Sequence, residues 1–238
     1  MIPYEECIDC VAKNFCKRYA GIVEKPKYPE WCNVKFRLYK ALELSNIPPE
    51  YFSANIYSID IDEYNKDNFM KINNYLNNII DFVQSGYNAF FYGSNPGTGK
   101  TYAASMFLNH YIYKTCLTDK FDFENPLALF VDYTELMDDL RYSRDEEQLN
   151  ERLEKIKNVS LLLLDDVGAG TISDFVREQT FMLINYRFNH RLSTLLTTNY
   201  SINELSKDTL LGKRIVSRIL NKCIGFEFTG IDRRVGKM

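Results

Sequence analysis

The segment that most constrains this chain is residues 93–101, which read GSNPGTGKT. We interpret it as the phosphate-binding pattern G-x-x-x-x-G-K-S/T, in which glycines let backbone N–H groups face phosphate oxygens. The lysine adds a positive charge, the following hydroxyl can ligate Mg²⁺, and the helix that begins here contributes its N-terminal dipole. The predicted cofactor-binding residues are Gly93, Ser94, Asn95, Pro96, Gly97, Thr98, Gly99, Lys100, Thr101 and Tyr102.

The sequence on either side of this segment suits such a loop. Residues 87–92 form a short apolar run that predicts a strand entering the loop, and residues 102–110 predict a helix leaving it. The alternative is a glycine-rich turn that binds nothing. The agreement of strand, loop and helix argues against that alternative.

The rest of the chain alternates predicted strands and helices. Apolar runs predict strands at 127–131, 159–164, 193–198 and 224–228, and helical spacing predicts helices at 63–85, 133–142, 145–157, 173–190 and 202–222. This alternation implies a parallel sheet with helices on both faces. We therefore expect an α/β P-loop fold with a parallel five-stranded sheet.

Polar side chains end two of these predicted strands. Asp165 and Asp166 follow four leucines, and a buried strand delivers such residues to the ligand edge of a sheet. We expect Asp165 to hold Mg²⁺ and Asp166 to polarise the attacking water. Two acids that cap the next helix are the alternative, which the leucine run disfavours. Asn199 follows the next predicted strand. An asparagine at such a position is more often a turn residue, but together with the loop and the two acids it is predicted to respond to the bound nucleotide.

Four arginines near the carboxyl end are further candidates. Arg214 and Arg218 are spaced i and i+4, so they share one helix face. A planar cation that reaches a neighbouring subunit's γ-phosphate stabilises charge in phosphoryl transfer, whereas a solvated basic helix is the alternative. Arg233 and Arg234 follow the last predicted strand, and one of them is placed to contact the nucleotide in cis.

In this order, the motifs resemble the DnaC/DnaI-type helicase loaders of the AAA+ superfamily, with the IstB-like transposition helpers as close relatives. The resemblance runs from residue 47 onward, with Walker A at 93–101, Walker B at 161–168, sensor 1 at 197–199 and the arginine-finger segment at 214–218. It implies an ATPase with ATP and magnesium as cofactors. It also implies that Arg218 is the finger and that Arg233 or Arg234 is the sensor 2 arginine.

The resemblance extends to partners. In this family an N-terminal module binds the hexameric replicative helicase, and the ATPase domain binds ATP and single-stranded DNA. It therefore implies a DnaB-type helicase and single-stranded DNA as partners, with self-association through the ATP sites. One departure concerns Asp166, because many AAA+ proteins have glutamate there. The shorter side chain reaches less far, so we expect slow hydrolysis.

Four of the six cysteines lie within the first 32 residues: Cys7, Cys10, Cys16 and Cys32. The first two form a C-x-x-C step, and together the four can complete a tetrahedral zinc site. Free thiols and an iron–sulfur cluster are the alternatives, while disulfides are disfavoured in a reducing cytosol. A structural metal would supply stability that so short a module lacks.

The 238 residues are enough for one α/β domain and a small additional module. We expect residues 1–44 to form a Cys-rich helicase-interaction module, 45–62 a proline-containing linker, and 63–238 the AAA+ ATPase domain. No apolar run approaches a membrane span and no signal peptide is recognisable, so we expect a cytoplasmic protein without a membrane partner. The net charge of −3 does not by itself demand a nucleic acid.

Other functions share part of this pattern. An IstB-like transposition helper, which remodels duplex DNA for a transposase, has the same core. A small-molecule kinase can use the same loop but has no use for Arg218 in trans. A replication initiator would need a duplex-binding domain, for which we expect no room after the last predicted strand. The cysteine-rich segment favours the loader.

Overall fold

The computed structural model describes residues 33–59, 61–119, 121–170 and 172–233. Its strands form one parallel sheet in the order β2-β3-β4-β1-β5. The strands are β1 (Asn88–Tyr92), β2 (Ala128–Asp132), β3 (Leu161–Asp165), β4 (Ser193–Thr198) and β5 (Cys223–Glu227). The predicted α/β fold with a parallel five-stranded sheet is therefore confirmed.

Helices connect these strands. They are α1 (Asn33–Leu44), α2 (Lys66–Asn77), α3 (Ile79–Gln84), α4 (Lys100–Cys116), α5 (Tyr133–Tyr142), α6 (Glu146–Asn158), α7 (Asp174–Asn189), α8 (Ile202–Leu205) and α9 (Lys213–Ile219). Two short 3-10 turns, Pro49–Tyr51 and Ile56–Ser58, lie between α1 and α2. Within the described ranges, no helix is both long and apolar enough to cross a bilayer.

One predicted helix is divided in the structure. The helix expected over 63–85 is interrupted at Asn78, whose φ and ψ of −110° and 29° are not helical. Helical spacing of apolar residues continues across this interruption, so it could not reveal it. The helical segments expected over 202–222 are α8 and α9, between which Gly212 has φ 81° and its N–H bonds back to the Leu205 carbonyl.

The sheet separates two apolar cores. Side chains of a strand alternate between its faces, so in β1 Phe91 points into one core and Phe90 into the other. On the first face, the Phe91 ring lies 5.1 Å from the Phe226 ring and 5.6 Å from the Phe107 ring of α4. Burial of one such side chain contributes about 1.5–3 kcal/mol. The second core packs α5, α6, α7 and α9 against the opposite face.

The described residues that precede α2 pack on the first core. Leu38 and Leu42 of α1 are buried in it, and the Ser45 carbonyl accepts a hydrogen bond from the Phe130 amide of β2 at 2.8 Å. Asn109 of α4 donates to backbone carbonyls in residues 51–54. The described part of the segment predicted as a linker thus lies against the sheet domain. The division into three parts stays a prediction, and Cys7, Cys10, Cys16 and Cys32 lie outside the described residues.

Candidate nucleotide-binding site

The glycine-rich loop joins the carboxyl end of β1 to the first turn of α4. Gly97 and Gly99 have φ of 69° and 100°, a region that glycine enters without steric penalty. A Cβ on Gly97 would lie 1.7 Å from an Asp232 carboxylate oxygen, whereas one on Gly99 would meet no described atom within 4 Å. The loop is therefore packed on one side and open on the other, as phosphate approach requires.

The loop departs by one residue from the pattern by which we interpreted it. Ser94 stands where G-x-x-x-x-G-K-S/T has its first glycine, and Gly93 lies one position earlier. The structure nevertheless shows why position 93 must be glycine. A Cβ on Gly93 would lie 2.0 Å from the Phe228 carbonyl oxygen, so only glycine allows β1 to pass the segment after β5 this closely.

Lys100 is buried at the start of α4. Its Nζ donates to the Gly93 carbonyl at 3.0 Å and to the Asn95 carbonyl at 2.8 Å, so the ammonium group lies inside the curve of the loop. The free backbone N–H groups of a helix N-terminus carry partial positive charge. The ammonium and the α4 N-terminus together create a positive site that suits phosphate oxygens.

Thr101 and Asp165 meet beside this loop. Asp165 is the last residue of β3, and its carboxylate is hydrogen-bonded to the Thr101 side chain and accepts from the Thr197 hydroxyl at 2.6 Å. Burial raises the pKa of Asp165, and the charges of Asp166 and Asp132 act in the same direction, while the two hydroxyl bonds oppose them. A hydroxyl and a carboxylate are hard oxygen ligands, so this pair fits Mg²⁺ that keeps water and phosphate as its other ligands.

Asp166 and Asn199 form a second pair at the same edge. Asp166 follows β3 in a left-handed conformation with φ 54°, and its N–H donates to the Thr197 hydroxyl at 2.8 Å. The Asn199 amide, which follows β4, donates to the Asp166 carboxylate at 2.9 Å. A carboxylate beside an amide can bind and orient a water molecule. The parallel register of β3 and β4 brings together these two residues that the sequence singled out separately.

Arg233 lies against the loop. Its backbone N–H donates to the Gly97 carbonyl at 3.0 Å, and its guanidinium forms an ion pair with Asp62. The Asn95 side chain donates to the Gly230 carbonyl at 2.9 Å, so the segment after β5 is fastened to the loop at two points. Arg234, the other sensor 2 candidate, lies outside the described residues.

Arg218 of α9 is held against α7. Its Nε donates to the Asn185 side chain of α7 at 2.7 Å, and it bonds to the Arg214 carbonyl at 3.1 Å. Both guanidinium groups stack on the Phe181 ring, 4.8 Å away for Arg218 and 4.6 Å for Arg214. These contacts join α9 to α7 and involve no residue of the loop in the same chain.

Tyr102, the last residue predicted for the loop region, faces the segment before α2. Its hydroxyl accepts a hydrogen bond from the backbone N–H of Asn55 at 3.4 Å, and its ring packs on the first core. A cavity of about 890 Å³ lies on the other side of Asp165, between β2, α5 and α6. Its lining includes Asp132, Arg152 and Asp165 itself but no residue of the loop, so the cavity adjoins the proposed metal ligand rather than the phosphate-binding backbone.

Sequence reasoning missed Thr197 and Asp62. Thr197 lies within the segment that contains Asn199, and a hydroxyl residue at the end of a buried strand was the available signal. Asp62 pairs with Arg233 across 171 residues, and no spacing pattern indicates such a contact.

The predicted zinc ligands Cys7, Cys10, Cys16 and Cys32 lie outside the described residues, so the structure does not test them. Within the described ranges, no cluster of three or more His, Cys, Asp and Glu side chains is arranged to hold a metal ion. Cys116 and Cys223 are free thiols, and burial raises their pKa to about 11 and about 12. Both are therefore protonated near neutral pH.

The parallel sheet, the loop and the acids at the end of β3 define a P-loop protein of the nucleoside triphosphate-binding class. The chain belongs to the family described as IstB-like ATP binding protein, which matches residues 37–235. This membership confirms the resemblance drawn from the motifs.

Among curated proteins, the chain is similar to two replicative helicase loaders. It is 25% identical to DnaI of Bacillus subtilis over 66% of this chain and 52% of that protein. It is 27% identical to DnaC of Escherichia coli over 55% of this chain and 49% of that protein. The chain thus spans about half the length of these curated relatives. It is also 26% identical to an ATP-binding protein of insertion sequence IS232 from Bacillus thuringiensis, over 74% of this chain and 68% of that protein.

The chain is also similar to solved structures of DnaC and DnaI proteins. A crystal structure of the DnaC helicase loader superposes with a TM-score of 0.63 and 28% identity, covering 76% of this chain and all of that one. A crystal structure of DnaI superposes with a TM-score of 0.62, covering 82% of this chain and all of that one; at 24% identity it supports the fold alone.

Proposed function

We propose that the protein is an ATP-dependent helicase loader of the AAA+ type. It binds single-stranded DNA and delivers a DnaB-type hexameric helicase during the initiation of DNA replication. The observation that carries this proposal is the convergence of Thr101, Asp165, Asp166 and Asn199 beside the loop. ATP hydrolysis needs both a magnesium ligand and a group that orients water, and this edge of the sheet offers both.

Each side chain then has a part in the reaction. Lys100 and the loop amides bind the β- and γ-phosphates, while Thr101 and Asp165 hold Mg²⁺. The metal, when bound, neutralises phosphate charge. Asp166 accepts a hydrogen bond from the attacking water, and Asn199 fixes the direction of that carboxylate. Arg233, whose backbone N–H bonds the loop, exchanges Asp62 for a phosphate when ATP binds.

Arg218 acts in a neighbouring subunit. In its own chain it contacts α7 and the ring of Phe181, and the residue is only partly buried. A guanidinium that is held in place but still accessible is suited to reach a γ-phosphate across an interface. Self-association through the ATP sites would therefore add Arg218 of one subunit to the catalytic residues of its neighbour.

The helicase-loader relatives support the choice of partner. The segment that precedes α1 carries Cys7, Cys10, Cys16 and Cys32, and we assign it to helicase binding, with one zinc ion as its stabilising metal. The setting is the cytoplasm, where replication initiates in bacteria and their phages.

A loading experiment tests this function. The protein is mixed with a DnaB-type helicase from the same source and forked DNA whose single strands are coated with single-strand binding protein. With ATP, we expect strand displacement to rise with the concentration of the protein, and Lys100→Ala to give no stimulation. Helicase that unwinds equally well without the protein, and that does not bind it in size-exclusion chromatography with light scattering, would contradict the proposal.

A transposition helper is the second candidate, because the family description and the IS232 relative both belong to that group. Such a helper would form ATP-dependent assemblies on duplex DNA and bind a transposase. The comparison of duplex with single-stranded DNA, at one stated salt concentration, separates the two functions. A loader prefers the single strand in the presence of ATP, and a helper prefers the duplex.

A further inference from the structure

We propose that Thr197 is a positioning residue for ATP hydrolysis, and that its hydroxyl holds both acids of the Asp165–Asp166 pair in their working orientations. This role rests on the proposed ATPase function. It is distinct from that of Asn199, because Thr197 contacts the metal-binding acid and the backbone of the water-binding acid at the same time.

The geometry of one oxygen atom carries this inference. Thr197 Oγ1 donates to Asp165 Oδ1 at 2.6 Å and accepts from the Asp166 N–H at 2.8 Å. A hydroxyl has one hydrogen to donate and two lone pairs, so both bonds form together. Thr197 is only 2% exposed, so bulk water does not compete for either bond. The donated hydrogen ends on Oδ1 and thereby restrains the rotation of the carboxylate that would hold the metal.

The second step concerns the turn after β3. Asp166 has φ 54°, a left-handed conformation that carries a steric cost for a residue with a Cβ. Thr197 offsets that cost twice, through its hydroxyl to the Asp166 N–H and through its carbonyl to the Val167 N–H at 2.9 Å. The turn directs the Asp166 side chain to the amide of Asn199. Loss of the Thr197 hydroxyl therefore removes support from the water-binding acid as well.

The hydroxyl of the next residue, Thr198, provides a comparison, because it has only a structural partner. Thr198 is equally buried, but its hydroxyl donates to the Val167 carbonyl at 2.6 Å, a backbone group with no part in the reaction. The hydroxyl of Thr197, in contrast, ends on a carboxylate that the reaction needs. The Thr197 hydroxyl bonds to Asp165 and to the Asp166 N–H, so its proposed effect passes through these two acids.

The test compares Thr197→Ser with Thr197→Ala, because both lack the methyl group and only serine keeps the hydroxyl. Thr197→Val, which keeps the shape without the hydroxyl, is the third variant. Thr180→Val is the matched control, since the Thr180 hydroxyl is also buried and bonds the Val176 carbonyl and the Tyr133 hydroxyl, both outside the site. Turnover, apparent affinity for Mg²⁺, ATP affinity without Mg²⁺ and thermal stability are measured for each.

We expect Thr197→Ala and Thr197→Val to lose turnover or Mg²⁺ affinity by about 10–100-fold, the scale of losing a partner that orients a metal ligand. ATP affinity without Mg²⁺ should be unchanged, Thr197→Ser should stay near wild type, and Thr180→Val should lose stability only. An active wild type with equally active Ala and Val variants would overturn the positioning role alone. An equal loss in Ser and Ala would also overturn it. An inactive wild type would instead contradict the proposed ATPase function.

Discussion

The side-chain amide of Asn199 donates a hydrogen bond to the carboxylate of Asp166 at 2.9 Å. The two residues follow β3 and β4, which are neighbours in the sheet. The same turn places Asp165 against the hydroxyls of Thr101 and Thr197. Adjacent acids in one short turn thus face different partners, and this difference predicts different roles.

Asp165→Asn and Asp166→Asn should therefore have different effects. The first should weaken binding of Mg²⁺-ATP, because it removes the charge that holds the metal. The second should bind Mg²⁺-ATP normally but lose turnover by about 10²–10⁴-fold, the usual contribution of a positioned acid or base. Calorimetric titration with and without Mg²⁺, together with steady-state rates, measures both effects. Equal loss of binding in the two variants would refute this division of roles.

Arg218→Ala should bind ATP normally as an isolated protomer, because in its own chain Arg218 contacts α7 and not the loop. It should lose ATP-dependent assembly, and turnover stimulated by assembly should fall by about 10³-fold or more, the scale of arginine-finger effects. Arg214→Ala, which changes the other cation on Phe181, is the comparison variant and should retain turnover.

A second experiment mixes the Arg218→Ala variant with the Lys100→Ala variant. Arg218→Ala and Lys100→Ala each lack one half of a shared site, so a mixture should recover part of the activity that both have lost. Wild-type assembly and turnover by Arg218→Ala alone would show that the arginine belongs to a solvated basic helix.

Much of the fold was predictable because buried strands have continuous apolar runs and amphipathic helices have periodic ones. β4 and α5 match the predicted ranges residue for residue. The loop was predictable from Gly97, Gly99, Lys100 and Thr101 together with the flanking strand and helix, although Gly93 lies one residue before the position that the pattern requires. Local sequence patterns do not, however, indicate the break at Asn78 or the packing of α1 on the sheet domain.

Contacts between distant residues account for most of what the sequence did not reveal. Arg187 on α7 is fully buried, and its guanidinium donates to side-chain and backbone oxygens, including the Thr194 hydroxyl and the carbonyls of Ile156 and Ser193. Burial lowers its pKa to about 9. Helical spacing places Arg187 on the same face as the buried Val176 and Leu183, but an arginine is ordinarily expected to be exposed, and only the folded chain shows that oxygen atoms surround this one. The Asp62–Arg233 pair escaped prediction for the same reason.

The Asp62–Arg233 ion pair leads to a further prediction about ATP binding. Both side chains are partly exposed, so the ion pair contributes only about 0–1 kcal/mol to stability, and neither Asp62→Ala nor Arg233→Ala should change the melting temperature much. Arg233→Ala should weaken ATP binding by about tenfold or more, since a hydrogen bond to a charged group contributes about 1.5–3 kcal/mol. Asp62→Ala should not weaken it. Similar ATP affinity in the two variants would argue against a nucleotide contact by Arg233.

Metal analysis of the full chain tests the cysteine assignment. We expect one zinc ion per chain, held by Cys7, Cys10, Cys16 and Cys32, and its loss in Cys7→Ser. Cys223→Ser is the matched control, because that thiol lies in the sheet domain, and it should retain the metal. A metal content near zero with four freely titrating thiols would rule out the site, and iron with visible absorption would favour a cluster.

The central claim is that residues 93–101 bind the phosphates of ATP, and titration of Lys100→Ala with Mg²⁺-ATP tests it most directly. Lys114→Ala is the matched control, because Lys114 lies on the same helix but is exposed and bonds the Asn77 carbonyl. We predict that Lys100→Ala keeps the wild-type circular dichroism spectrum and binds at least about tenfold more weakly, a loss of about 1.4 kcal/mol. Lys114→Ala should bind as wild type. A folded Lys100→Ala with wild-type affinity would contradict the account.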